Sequence, residues 1–305
     1  MFWLALAFLG PISWAASTHI DKYLVEKYFK DSNTAVLMVF TAIVGVIAMP
    51  LIWLFQPSVV TLPFNESAIV ALSGAMYMGA MLFYLRAMQS AEASVVAPLF
   101  QFSTVFTLVL AWLFLHELLS WSQFGGVVLI LAGTLAISMH GRAVLRQFKL
   151  RLVLLMAIST LILAASTVLF KYFAVSTGFW ATAFWMFAGE ALFGAAILCV
   201  PSLFREFIAL FRRSPGAVIG INAANELINL GGGLAVRFAS LLAPVALVSA
   251  VSSTTTLFVF ALGMLLTEIF PRLGREDLSV RNLVQKGVSA LLVTLGVLLA
   301  NSNSI

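Results

Sequence analysis

Two acidic residues stand in the middle of long apolar stretches, and one of them has polar company. Asn222, Asn225, Glu226 and Asn229 recur at i, i+3, i+4 and i+7, which is one face of a single helix. Four polar groups in line cannot face hydrocarbon, where each unpartnered one costs roughly 2–7 kcal/mol. They must meet a partner helix, as in a polar interhelical zipper, or a watery cavity. Gly231-Gly232-Gly233 follows at once, where a neighbouring backbone can come close or the helix can unwind. The other acid, Glu190, lies near the centre of FWATAFWMFAGEALFGAAILCV, with Met186, Phe187, Phe193 and Gly194 around it. A charge at mid-bilayer costs roughly 2.5–3.5 kcal/mol on insertion scales. Each acid is therefore a candidate proton carrier, or else a hydrogen-bonded helix–helix clamp. Glu226 is the better placed carrier, because its amide neighbours can donate to the ionised form.

Other polar side chains extend this set. Trp14 stands mid-stretch beside Ser13 and Ser17, so its ring can stack on a substrate, whereas tryptophans near span ends serve as interface anchors. Tyr77 is a second stacking candidate. Gln101 and Thr104 in one stretch, and Ser252 and Thr255 in another, can line a pathway, although a hydroxyl in a helix can equally bond back to its own backbone. The substrate-binding set is then Glu226, Asn222, Asn225, Asn229, Trp14, Ser17, Tyr77, Gln101, Thr104, Ser252 and Thr255, with Glu226 and Glu190 as proton-coupling candidates.

Other chemistry is not indicated. His19, His116 and His140 have no partner at helical spacing, so no metal site is expected. No glycine-rich loop precedes a Lys-Ser/Thr pair, which leaves direct ATP coupling unsupported. No nucleophile–base or paired-carboxylate arrangement stands out, so the chain is not expected to be an enzyme. The lone cysteine, Cys199, excludes an intramolecular disulfide, and no cofactor is expected.

These residues need elements that hold them in lipid. Hydrophobic residues make up 62% of the 305 and charged ones 10%, with mean hydropathy +1.07. A soluble surface needs about 25% charged residues, so the solvent that fits is a bilayer. A helix crossing it takes about 20 apolar residues. Ten stretches qualify, at about 2–20, 34–55, 67–88, 93–115, 121–140, 152–173, 179–203, 215–236, 241–267 and 285–301. The first, MFWLALAFLG onward, has no basic n-region and reads as a retained span. Short connections such as HELLS, HGRAVLRQFKLR and REFIALFRRSPG separate the stretches.

An internal repeat divides the chain near residue 145. Ala15-Ala16-Ser17-Thr18 with Lys22-Tyr23 recurs as Ala164-Ala165-Ser166-Thr167 with Lys171-Tyr172, an offset of 149. Arg86 and Glu117 recur as Arg237 and Glu268, an offset of 151, and Gln123 with Gly125 as Gln285 with Gly287. Residues 1–141 and 150–301 are thus expected to be two five-helix repeats. Five is odd, so the second enters the membrane in the opposite sense, giving an all-α membrane protein of ten transmembrane helices in two inverted-topology halves. Inverted halves permit two near-equivalent arrangements, one open to each side, which is what alternating access requires.

The net charge of +5 does not point to nucleic acid, because the basic residues fall in short loops. With both termini outside, all of the 17 Lys and Arg except Lys171 and Arg237 fall on the inner side, as the positive-inside rule favours.

The fourth stretch reads Thr104-Val105-Phe106-Thr107-Leu108-Val109-Leu110-Ala111-Trp112-Leu113-Phe114-Leu115-His116-Glu117, followed by Gln123 and Gly126. It resembles the PVFTxLLAxLFLGE pattern of the drug/metabolite transporter superfamily, EamA-type. Leu265-Leu266-Thr267-Glu268 is a weaker second copy. The chain departs from the pattern where its Pro is Thr104 or Thr255 and its Gly is His116 or Thr267. Any kink there must come from elsewhere, with Pro98 and Pro244 the available prolines. The resemblance implies termini on the cytoplasmic side, against the charge count. It also implies a secondary transporter, an exporter of small polar or amphipathic metabolites, with a central cavity between the halves. A translocator of lipid or lipid-linked substrate is the alternative. The expected partners are a small-molecule substrate and the lipid bilayer, with no nucleic acid, and the chain is expected to be a monomer or weak homodimer. The expected location is the bacterial inner (plasma) membrane.

The charge count yields a test. A cysteine replacing Arg146, in a protein whose Cys199 is serine, is expected to resist an impermeant maleimide added to intact cells and to react after the cells are opened. Efficient labelling of intact cells would reverse the orientation.

Overall fold

The computed structural model describes residues 2–27, 32–90, 96, 99–138, 150–213, 215–216, 220–269 and 280–301, and among the described residues there is no strand. The helices are α1 (Phe2–Lys27), α2 (Thr34–Phe55), α3 (Phe64–Ser90), α4 (Phe102–Leu115), α5 (Trp121–Ser138) and α6 (Leu150–Thr177). They continue as α7 (Phe179–Leu198), α8 (Pro201–Arg213), α9 (Asn222–Leu242), α10 (Val245–Ser252), α11 (Thr255–Ile269) and α12 (Val280–Asn301). Five stretches are long and apolar enough to cross a membrane: α2, Phe64–Met88 of α3, α6, α7, and Val245–Leu266 across α10 and α11. Helix α4, most of α5 and the second part of α12 are apolar but shorter. Helices α1 and α9 are long enough and miss that set because they carry the polar residues singled out above.

Three local features differ from the expectation. The segment REFIALFRRSPG, read as a connection, is mostly α8. Its apolar residues recur at helical spacing, so it buries Phe207 and Leu210 while Arg205 and Arg212 stay outside. Phe40 of α2 receives it, with ring centroids 5.3 Å from Phe207 and 6.1 Å from Phe211. The Glu206 carboxylate also accepts from the backbone N–H of Asn33 at 2.6 Å, where Asn33 caps α2.

The second difference is the break in the ninth stretch. Pro244 does not kink it; the proline stands at the start of α10 as its N-cap. The helix breaks instead at Ser253–Thr254, inside a run of hydroxyls. Ser253, Thr254 and Thr255 each donate to the carbonyl three residues earlier, at 2.6, 2.7 and 2.7 Å, and this competes with the regular helical ladder. Pro98, the other proline invoked, lies outside the described residues. The third difference is that α9 runs unbroken through Gly231–Gly233; the helix does not unwind there, and Gly232 lies against Ser13 of α1.

Helices α3 and α7, α4 and α6, and α1 and α11 pack across residues 1–141 and 150–301, and so do five further pairs: α1 with α9, α3 with α6, α2 with α7, α5 with α12, and α4 with α10. In the numbering of the sequence repeat, α1 corresponds to α6, α2 to α7, α3 to α9, α4 to α10–α11 and α5 to α12. Within these five, exchanging the halves therefore turns α1–α9 into α6–α3 and maps the other three pairings onto themselves. The α5–α12 seam is a close one. A Cβ added at Gly126 would stand 2.6 Å from the backbone nitrogen of Ala300 and from the carbonyl of Gly296. Small residues let two backbones meet in this way where lipid gives no hydrophobic driving force.

Gly126→Ala is expected to force this seam apart and lower stability by about 1–3 kcal/mol, seen as a lower melting temperature in detergent. Gly287→Ala, in the same pair of helices but facing open space, should leave it unchanged or slightly raised.

Candidate functional site

Helix α9 wedges between α1 and α2, and its polar stripe serves both neighbours. Residues 225 and 226 point about 100° apart around a helix, so they reach different partners. Asn225 is fully buried, and its side-chain nitrogen donates to Asp21 of α1 at 2.6 Å. Ser17, one turn before Asp21, donates to the other carboxylate oxygen at 3.3 Å. Glu226 accepts from the Thr41 hydroxyl of α2 at 3.2 Å. The Asp21 and Glu226 carboxyls are near enough to feel each other's charge. Asp21 is exposed although the residue that holds it is buried, so the cluster stands at an opening.

A second polar group lies beside the first. The Arg237 guanidinium sits over the rings of Tyr77 at 5.3 Å and Phe170 at 5.7 Å, a cation–π arrangement. Glu190 is buried within the field of Arg237, and Tyr77 lies in the fields of Arg237, Glu190 and Glu226. Of the predicted residues, Ser17, Asn225 and Glu226 thus form one cluster, with Tyr77 and Glu190 in the group beside it. Asn222 is buried and Asn229 half-buried on α9, and Trp14 is half-buried on α1. Gln101 is buried at the start of α4, where Thr104 and Ser249 bond across α4 and α10 at 3.2 Å. Ser252 spends its hydroxyl on the Val248 carbonyl of its own helix, and Thr255, at the start of α11, spends its own on the Ser252 carbonyl at the end of α10.

The opposite end of the bundle is tied shut. Helix α4 ends in a left-handed residue, His116 (φ 54°), and the Glu117 N–H turns back to the Ala111 carbonyl. Glycine is the residue that tolerates this conformation, which accounts for the Gly of the resembling pattern at that place. The turn aims Glu117 at α10 and α6. One carboxylate oxygen accepts from the Val245 N–H at 2.8 Å, and the other pairs with Lys171, whose ammonium also donates to the Ala243 carbonyl at 2.7 Å. It is the one ion pair among the described residues.

Glu268, which matches Glu117 in the repeat, is exposed. The halves differ in a second way. Helix α3 runs close along α7, whereas the corresponding pair, α9 and α2, touch over a short stretch.

Residues 1–139 match the model of the EamA-like transporter family. Over this stretch the chain is similar to the EamA-like transporters. The apolar helices and this match together make the chain a multi-pass integral membrane protein, similar to a family of transporters. Among solved structures, a crystal structure described only as that of a protein aligns with TM-score 0.63 and 16% identity. The alignment covers 98% of this chain and 96% of that one, so the likeness in fold runs through both halves. No curated protein matches the chain.

Several residues of this site escaped the sequence. Asp21 lies four residues after Ser17 and seven after Trp14, a spacing that places all three on one helix face, but it stood at the edge of a stretch among charged neighbours. Thr41 is a single hydroxyl in an apolar helix and carries no signal of its own. Lys171 and Arg237, counted as outer-side charges, are both engaged with other residues of the bundle by the contacts above.

Removing one partner of a buried ion pair strands the other, at a cost of about 3–5 kcal/mol. Lys171→Met is expected to lower detergent stability by that order, and the double variant Lys171→Met with Glu117→Met by clearly less. Thermal unfolding of the two variants side by side checks this.

Proposed function

We propose that this chain is a secondary transporter that exports small polar or amphipathic metabolites by alternating access between two inverted five-helix repeats, residues 1–141 and 150–301, with the proton carried on Glu226. The observation that carries this reading is the unequal closure of two ends that the repeat makes equivalent. At one end Lys171, Glu117 and the α9–α10 turn are bonded together, and α3 lies along α7. At the other, Glu268 is exposed, α9 meets α2 only briefly, and the Asp21 cluster stands open. A protein that exchanged these two conditions would open to each side in turn.

Five of the helix pairings exchange among themselves when the halves are exchanged, which supports a pseudo-twofold relation between the repeats. The open end is also the end where α8, with Arg205 and Arg212 exposed, packs on α2. The positive-inside rule makes that side cytoplasmic, so substrate would be taken from the cytoplasm and released outside. Glu226 suits proton carriage because it sits between the helices that must part and has both Thr41 and α9 amides near it. A bacterial inner membrane would supply the proton gradient.

In liposomes, the wild-type protein screened with amino acids, amines and sugars is expected to concentrate at least one solute when a proton gradient is imposed. Glu226→Gln keeps size and neutral hydrogen bonding but releases no proton. The variant should still exchange solute across equal concentrations while losing the response to the gradient. Concentration of solute by the Gln variant would assign coupling to another residue.

A further inference from the structure

Asn225 is fully buried, yet its side-chain oxygen has no hydrogen-bond partner. The amide orientation is not arbitrary. An ionised Asp21 accepts and cannot donate, so the amide nitrogen must face it and the oxygen is committed to the other side. A buried acceptor left unpaired is costly. The two carboxyls of the cluster do not relieve this, because they accept themselves: Asp21 from Asn225 and Ser17, and Glu226 from Thr41. The nearby cation, Arg237, is turned to the faces of Tyr77 and Phe170. The wedge therefore holds a surplus of acceptors where it reaches the surface of the bundle at Asp21.

We propose that the wedge between α1, α2 and α9 binds the protonated primary amine of a substrate, its N–H groups directed at the Asn225 side-chain oxygen and the carboxylates of Asp21 and Glu226. A primary ammonium carries three donors and no acceptor, which matches three acceptor groups and supplies the missing partner of Asn225. A neutral alcohol brings one donor and no charge, and a quaternary ammonium brings charge without a donor. The repeat makes the site one-sided, since Phe170 stands in the second half where Asp21 stands in the first. This names the substrate class for the transporter proposed above and rests on that reading.

The test uses the full-length protein in detergent, with binding read by isothermal titration. The probes are n-butylammonium, n-pentanol as its neutral counterpart, tetramethylammonium, and sodium chloride. Butylammonium is expected to bind saturably, and pentanol and tetramethylammonium about tenfold more weakly or worse. Asn225→Leu should weaken butylammonium by a similar factor, and Asn225→Asp, which adds charge at the same size, should tighten it. Thermal unfolding of each variant separates lost binding from lost folding, and the Asp variant keeps the test open where the Leu variant does not fold. Equal binding of pentanol, or a butylammonium affinity unchanged in Asn225→Asp, overturns the proposal. Sodium binding that excludes butylammonium overturns it in favour of a bare cation site. Binding needs no membrane gradient, so amine binding by a protein that moves no solute in liposomes upholds this site and sinks the transporter reading. Solute flux without amine binding does the reverse.

Discussion

Hydrocarbon offers no hydrogen bonds, and that single deficit organises this molecule. Every polar group placed along a span must find its partner inside the bundle. The partners decide which helices touch and at what height. Asn225 finds Asp21, Glu226 finds Thr41, Lys171 finds Glu117, and Arg237 finds two aromatic faces. Apolar contacts between helices are interchangeable with contacts to lipid tails, so they hold the bundle without fixing its register. The few polar pairings and the close glycine seam do the fixing.

The same constraint explains how the helices end and bend. Where a chain must turn within or near the membrane, the freed backbone groups are met by side chains. Glu117 takes the N–H at the start of α10, Lys171 takes the carbonyl at the end of α9, and hydroxyls from 253 to 255 take the carbonyls released by the break between α10 and α11. His19 fastens α1 to the Val259 carbonyl of α11, just beyond that break. Breaks in spanning helices survive only where such substitutes exist, so the run of serines and threonines is a structural requirement of the bend.

The spans were legible because length and apolarity are local properties of a sequence. The polar stripe of α9 was legible for the same reason, since its spacing lies within eight residues. What faces it was not. Asp21 and Asn225 are 204 positions apart, and Thr41 and Glu226 are 185 apart, so their meeting depends on helix order and rotation that no local pattern encodes. Helix α8 shows the intermediate case. Its period is plain once helix is assumed, but a proline and three arginines in a short segment resemble a connection equally well. The bend at Ser253–Thr254 was missed because proline is the more familiar cause of a kink than a chain of hydroxyls competing for carbonyls.

The exchange of Asp21 for Phe170 at matching places in the two halves reaches beyond the site. Two identical halves related by a twofold axis would rest equally often in either of their two arrangements. Once both halves are encoded in one chain, each can drift alone, and every such difference weights one arrangement against the other. A carboxylate that tolerates water in one half and a ring that prefers dry contact in the other bias the populations toward the condition that wets the first and buries the second. A difference of about 1.4 kcal/mol is already a tenfold preference. In the alternating transporter proposed above, such a pair of residues would tilt the resting direction, and divergence after duplication would give the fold a default side without any change in its architecture.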